Sequence, residues 1–281
     1  MLSGLRSLTM SIQSAPSLPR IPELEAVYRM GVKFSQGDFI MVAGRSGSQK
    51  SGFAIWLCQK WNLPTLYFSG DMSGYQASVR LACSILGLTT DEVEERLAAG
   101  GRRAAEVSAA LAECNVDFSF GPIRWRNVEA ELDAYVEMHN AFPKLLVIDN
   151  AMDVEGAESD YQEQMAVMQD LSELSRMTGA TLLVLHHATD KSWDAKSDPW
   201  RPPSRDQIKG GLAEKPELIL TVAIDPTSHD FNVACVKQRM GPSNATGGTY
   251  ATLAARPAMT RFEKARERYR PPTAVTEFSV G

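Results

Sequence analysis

Residues 38–51 read DFIMVAGRSGSQKS: an apolar run at 38–43 breaks into the glycine- and serine-rich turn 44–51, and a stretch carrying Ile55, Trp56 and Leu57 follows. A buried strand that turns through glycines into a helix lines up backbone N–H groups at a helix N-terminus, and such a row suits phosphate oxygens. Lys50 and Ser51 stand where the pattern GxxxxGK[ST] puts a lysine for the phosphates and a hydroxyl for Mg²⁺. The expected nucleotide-binding residues are Gly44, Arg45, Ser46, Gly47, Ser48, Gln49, Lys50, Ser51 and Gly52. One position departs from the pattern. Gln49 takes the place of the second glycine, where backbone freedom matters. Gly47 is expected to take over part of the turn, with a reshaped or weaker grip as the consequence. The competing reading is a turn that only connects strand to helix.

Outward from this turn, short apolar runs alternate with helical patterns. Strands are expected at 38–43, 65–69, 116–120, 144–149, 181–186, 217–224 and 232–237. Helices are expected from Lys50 onward and at 73–86, 91–99, 102–114 and 161–177, with Val79, Cys83 and Leu86 at helical spacing in the second. Strands joined by helices of this size must run mostly parallel. The fold class is therefore α/β, with a mostly parallel central sheet flanked by helices. Two loops stand out, 154–160 and 188–205, the second long, charged and proline-containing. Residues 261–270 read as a basic helix ahead of Pro271 and Pro272. The expected organisation is a mobile arm at 1–20, one core at 21–258, and a basic helix with a tail at 259–281.

The chain has 281 residues, 44% hydrophobic and 22% charged, with a net charge of -5. A chain this long buries roughly 75% of its unfolded surface, so its core needs no disulfide or metal staple. Its apolar runs are far shorter than the roughly 20 residues that span a bilayer, so no membrane helix is expected. Cys58, Cys83, Cys114 and Cys235 are scattered without a CxxC pair, which points to core thiols in a reducing cytoplasm. The acidic balance excludes a protein that coats nucleic acid with its whole surface; basic loops lining a channel remain open.

KLLVID (144–149) is an apolar strand that ends in a carboxylate. Such a strand presents Asp149 to water-mediated Mg²⁺ binding beside a phosphate loop. Ser51 and Asp149 are the expected metal residues, with a nucleotide and Mg²⁺ as cofactors.

Further segments resemble the RecA-like motor domain of DnaB-type replicative helicases. YFSGDMS (67–73) resembles that family's FSLEMS segment, and VIDN (147–150) its VIDY run. QEQMAVMQDLSELSRMTGATLLVLHH (162–187) is similar to its long helix and following strand, and RPPSRDQIKGG (201–211) to its RPxxSDLRxSG segment. VKQRMGP (236–242) is similar to its KQRxGP motif almost letter for letter. The resemblance spans about 21–255 and implies a P-loop ATPase core, hydrolysis at subunit junctions, a homo-oligomeric ring, hexameric in the family, and single-stranded DNA as partner. Residue by residue it implies that Lys50, Ser51 and Asp149 hold the triphosphate and Mg²⁺. Asp71 would orient or deprotonate the attacking water, although Asp is one methylene shorter than the family's Glu; a helix N-cap ahead of Ser73 is the alternative. His187 replaces a glutamine that senses the γ-phosphate, and an imidazole there adds pH dependence. Lys237 and Arg239, two apart on a strand, share a side and would act as fingers on a neighbour's nucleotide. His186 faces the other way and is expected to stabilise the strand end.

The family's central loops imply DNA contacts from Lys191, Lys196, Arg201, Arg205 and Lys209, with Trp193 and Trp200 able to stack on bases. Glu155, Glu158 and Asp160 make the first loop a poor DNA ligand. The leading expectation is an ATP-dependent DNA helicase or translocase of phage or plasmid type in the bacterial or infected-host cytoplasm, without the family's primase-interacting N-terminal domain. A metal-dependent nuclease or repair protein on the same core, using His186, His187, Asp149 and Asp190, is one alternative. A non-catalytic recombination mediator or helicase loader, motivated by Gln49 and Asp71, is the other.

Overall fold

FIMVAG is apolar throughout, and all six residues are buried in β1 (Phe39–Gly44). A strand buried on both faces belongs at the centre of a parallel sheet covered on both sides. The computed structural model describes residues 17–157, 161–189 and 200–265. Among these, nine strands form one sheet in the order β3-β2-β4-β5-β1-β6-β7-β8-β9. They are β1, β2 (Thr65–Ser69), β3 (Val116–Phe120), β4 (Leu145–Asp149), β5 (Thr181–His187), β6 (Leu218–Ile224), β7 (Asp230–Gln238), β8 (Tyr250–Arg256) and β9 (Arg261–Lys264). From β3 across to β6 all pairs are parallel. Beyond β6 the pairs are antiparallel. The expected α/β class with a mostly parallel sheet is what the chain forms.

Alternation in β1 divides the core. Ile40 and Val42 join one layer with Phe53, Trp56 and Leu57 of α2 (Lys50–Trp61). Phe39, Met41 and Ala43 join the other with residues of α6 (Trp125–His139) and α7 (Tyr161–Thr178). A short α1 (Glu25–Arg29) precedes the sheet. A satellite cluster around Val79, Cys83, Val93 and Val107 holds α4 (Thr90–Ala99) and α5 (Gly101–Ala112) on α3 (Gly74–Leu86). The cysteines are free thiols, three of them buried. No helix among the described residues is long and apolar enough to cross a membrane.

Two expectations at the chain ends are corrected. Residues 261–264 are the strand β9, not the start of a basic helix. Phe262 is buried against Phe53, Trp56 and Phe231, and a turn with Thr260 at φ 49° folds the segment back on β8. The boundary expected at 258 therefore cuts a hairpin of the sheet; residues 266–270 lie outside the described residues. At the other end, residues 17–20 are not a free arm. Ser17 bridges to Ser35, and Leu18 is buried in the larger core layer.

Candidate nucleotide-binding site

The parallel strands finish together. Gly44 pairs with His187 and with Val222, and Ser69 pairs with Asp149, so the ends of β1, β5, β2 and β4 form one edge. The turn 44–51 rises from this edge into α2. A Cβ at Gly44 would collide with Ser48 Oγ and lie 2.8 Å from the Val222 carbonyl, so the loop closes only over glycine there. Gly47 takes φ 74° and Gln49 φ 64°. Gln49 thus adopts the left-handed conformation of the glycine it replaces, at a cost of about 1–2 kcal/mol for an L-residue. The side chain at this position is borne as backbone strain.

Lys50 Nζ donates to the carbonyls of Gly44 at 3.1 Å and Arg45 at 3.0 Å, so the ammonium lies inside the loop. The start of α2 has no side-chain N-cap, which leaves first-turn N–H groups to the loop interior. Ser48 Oγ is buried and has no hydrogen-bond partner among the described residues. An orphaned hydroxyl, uncapped helix N–H groups and a buried ammonium are a donor set that fits phosphate oxygens.

Asp149 is 2% exposed at the end of β4. Burial pushes its carboxyl above the ordinary range; hydrogen bonds from Tyr67 and Ser51 pull the other way, nearby Asp71 adds to the rise, and Lys50 opposes it. Tyr67 donates its hydroxyl to Asp149 Oδ2 at 2.7 Å. The Ser51 hydroxyl and the Asp149 carboxylate, ninety-eight residues apart in sequence, are therefore close enough to interact, a pair of oxygen donors suited to a hard cation. Asp71 is exposed in the turn after β2. It does not cap α3: Ser73 does, in a reciprocal box with Gln76. Its charge is felt at Asp149 and at His187, which places it over the same edge.

His187 is half-buried, and burial with the charges of Lys50 and Lys209 lowers its pKa, which favours the neutral imidazole. His186 is fully buried, donates Nε2–H to the Lys209 carbonyl at 2.8 Å, and is pushed down to about 4 by burial. It fastens the strand end, as expected. Among the described residues no three His, Cys, Asp or Glu side chains converge as a metal site. Asp190, the fourth residue of the nuclease alternative, lies outside the described residues.

Lys237 and Arg239 sit at the opposite edge. The Arg239 amide donates to the Glu217 carbonyl, and the Glu217 amide to that of Phe39, which places Arg239 level with the start of β1. Lys237 Nζ donates to the carbonyls of Ala213 and Glu214. Burial, Arg205 and Arg239 lower its pKa to about 8. Arg239 pairs with Glu217 at 3.3 Å, its side chain 53% exposed.

Of the expected DNA contacts, Lys191, Lys196 and Trp193 lie outside the described residues. Arg205 and Lys209 are exposed. Arg201 donates to the Thr246 carbonyl, and its own carbonyl accepts from Arg45 of the phosphate loop at 3.3 Å. Trp200 is 38% exposed, and its carbonyl accepts from Asn232. The base of the loop is pinned where Ala188 bridges Ile208 and Thr189 donates to the Gln207 carbonyl. In the first loop Glu155 is held by α6: its carboxylate accepts the Trp125 N–H, and its own N–H donates to the Ile123 carbonyl. The sequence reading missed Tyr67 and Glu217 as parts of the site, and missed the Arg201 carbonyl as the partner of the expected Arg45. These contacts span 82, 178 and 156 residues, and no local pattern marks them. A cleft of about 910 Å³ opens elsewhere, between His229, Arg256 and Lys264.

An α/β sheet with a lysine-bearing phosphate loop at one edge and a buried carboxylate two strands away defines a P-loop ATPase domain. The AAA domain family matches residues 9–192, and the chain belongs to it. The gene 65 protein of Mycobacterium phage L5 is 28% identical over 250 residues, covering 86% of this chain and 91% of the relative. That of Mycobacterium phage D29 is 30% identical over 227 residues, covering 76% and 94%. Among solved structures, one of an isolated ATPase domain superimposes with a TM-score of 0.73 at 15% identity over 93% of this chain and 97% of that one. A DnaB-like replicative helicase that interacts with primase gives 0.72 at 15% identity, over 93% and 66%. The fold is that of DnaB-type helicase ATPase domains.

Proposed function

We propose that this chain is an ATP-hydrolysing, DnaB-like motor that works as a ring of identical copies on single-stranded DNA in a bacterial or infected-host cytoplasm. One observation carries the reading. Arg239 is level with Phe39, about 16 Å of strand below Gly44 and two strands across, so it cannot serve the loop of its own chain. A second copy can bring the two edges together.

At such a junction the loop N–H groups, Ser48 and Lys50 grip the phosphates, and Ser51 and Asp149 hold Mg²⁺. The cation, when bound, neutralises charge on the phosphate oxygens. Asp71 orients the attacking water, and its exposed carboxylate is available as the proton acceptor. Neutral His187 donates one N–H toward the γ-phosphate position. Arg239 of the next copy offsets charge that develops in the transition state, with Lys237 beside it. The bond from Arg45 to the Arg201 carbonyl links the phosphate loop to the segment carrying Arg201, Arg205 and Lys209, a route by which the nucleotide state reaches the DNA-facing residues.

The test is ATP turnover with and without single-stranded DNA, with assembly state followed in parallel. DNA-stimulated turnover is expected, and Lys50→Ala should reduce it at least about a hundredfold while leaving the melting temperature unchanged. ATP binding without turnover at any assembly state would replace the motor with the loader or mediator reading.

A further inference from the structure

The finger edge carries a brace that no part of the motor reading requires. Glu217, just ahead of β6, uses both carboxylate oxygens. Oε2 accepts the Phe39 N–H at 2.9 Å, and Oε1 lies 3.3 Å from Arg239 Nη1. Its main chain repeats the link, with Glu217 N–H donating to the Phe39 carbonyl and Arg239 N–H to the Glu217 carbonyl. Phe39 opens β1, and the other end of β1 is Gly44 of the phosphate loop. The Lys215 carbonyl takes a further bond from Arg239 Nη2 at 3.4 Å. A guanidinium has five N–H donors in a rigid fork, so a carboxylate on one edge fixes its plane and leaves donors for an anion.

We infer that Glu217 is a positioning residue for Arg239, which aims the guanidinium at the neighbouring copy and ties it to the first peptide of β1. The inference rests on the motor reading above. The charges around this carboxylate are Asp38 on the β1 side and Lys237 on the β7 side, with Arg205 and Glu214 next to Lys237. The pair is too exposed to be explained by its contribution to stability. A fixed direction costs little here and spares the finger the ordering entropy it would otherwise lose in the transition state.

Glu217→Gln tests this, because the amide oxygen still accepts the Phe39 N–H while the charge opposite Arg239 is lost. DNA-stimulated turnover is measured on the assembled protein for the parent, E217Q, R239A and the double variant. The expected result for E217Q is kcat lower by roughly tenfold, a small share of the 10³–10⁵ that an arginine finger supplies. KM for ATP, assembly and the melting temperature should be unchanged. In the R239A background E217Q should have no further effect, because nothing is left to position. The inference is overturned if the two losses multiply, or if E217Q acts only through KM or assembly; the motor reading then survives. If R239A itself turns over normally, both fall.

Discussion

His186 and His187 are adjacent in sequence and opposite in use. Alternation along β5 sends His187 to the phosphate edge and His186 into the protein, where Nε2–H meets the Lys209 carbonyl and Nδ1 has no partner among the described residues. A proton on Nδ1 would be buried without an acceptor, which is why the pKa falls from 6.5 to about 4. A lowered histidine pKa means that the unfolded chain binds the proton first. Its stabilising effect is whole above about pH 6.5 and is withdrawn as pH falls toward 4, by about 3 kcal/mol in all. Comparing the parent with His186→Asn isolates this effect, since the carboxylates titrate in both. The stability difference from denaturant melts should be largest at pH 7 and shrink toward pH 4. Parallel pH profiles would mean that His186 does not carry it. Gln49 shows a second residue-level exchange: a left-handed backbone is imposed on a side chain that resists it, so the cradle is preserved against local preference.

At the scale of elements, the strands with long apolar runs were legible because burial on both faces leaves a continuous signal. All seven expected strands exist. The edge elements were not legible. β8 is built on small residues with every second one buried, and β9 has only Phe262 turned inward among Arg261, Glu263 and Lys264. Charged flanks around one apolar residue read as a solvated helix until the partner strand is known. The helix α6 escaped because three residues, Val128, Leu132 and Tyr135, make its whole buried stripe. Among the site residues, the cradle with Arg45 and Asp149 stood in local patterns, whereas Tyr67 and Glu217 act through distant partners. Arg261 gives β9 a measurable role. Its guanidinium donates to the carbonyls of Ser84 and Ile85 at 2.8 Å each, closing the last turn of α3. Two charge-assisted bonds at a helix C-terminus are worth about 2 kcal/mol. Arg261→Ala should therefore lower the melting temperature by roughly 5 °C. An unchanged melting curve would show that α3 ends without β9.

At the scale of the whole molecule, the proposed motor treats the two edges of one sheet as complementary halves of one site. The loop, Ser51, Asp149 and His187 lie where the parallel strands finish, while Arg239 and Lys237 lie where they begin. A head-to-tail contact between copies joins unlike edges, and such contacts generate rings when the rotation closes. Two inactive variants distinguish this arrangement from a self-sufficient chain. Lys50→Ala spoils the cradle and keeps the finger; Arg239→Ala keeps the cradle and spoils the finger. Co-assembled in equal amounts at random, roughly a quarter of the junctions place an intact cradle against an intact finger. DNA-stimulated turnover should then return to about a quarter of the parent value when junctions act independently, and to less when a dead junction stalls its neighbours. Each variant alone should stay inactive at every concentration. If co-assembly is demonstrated and the mixture gains nothing, the finger serves its own chain or none, and the head-to-tail arrangement fails with it.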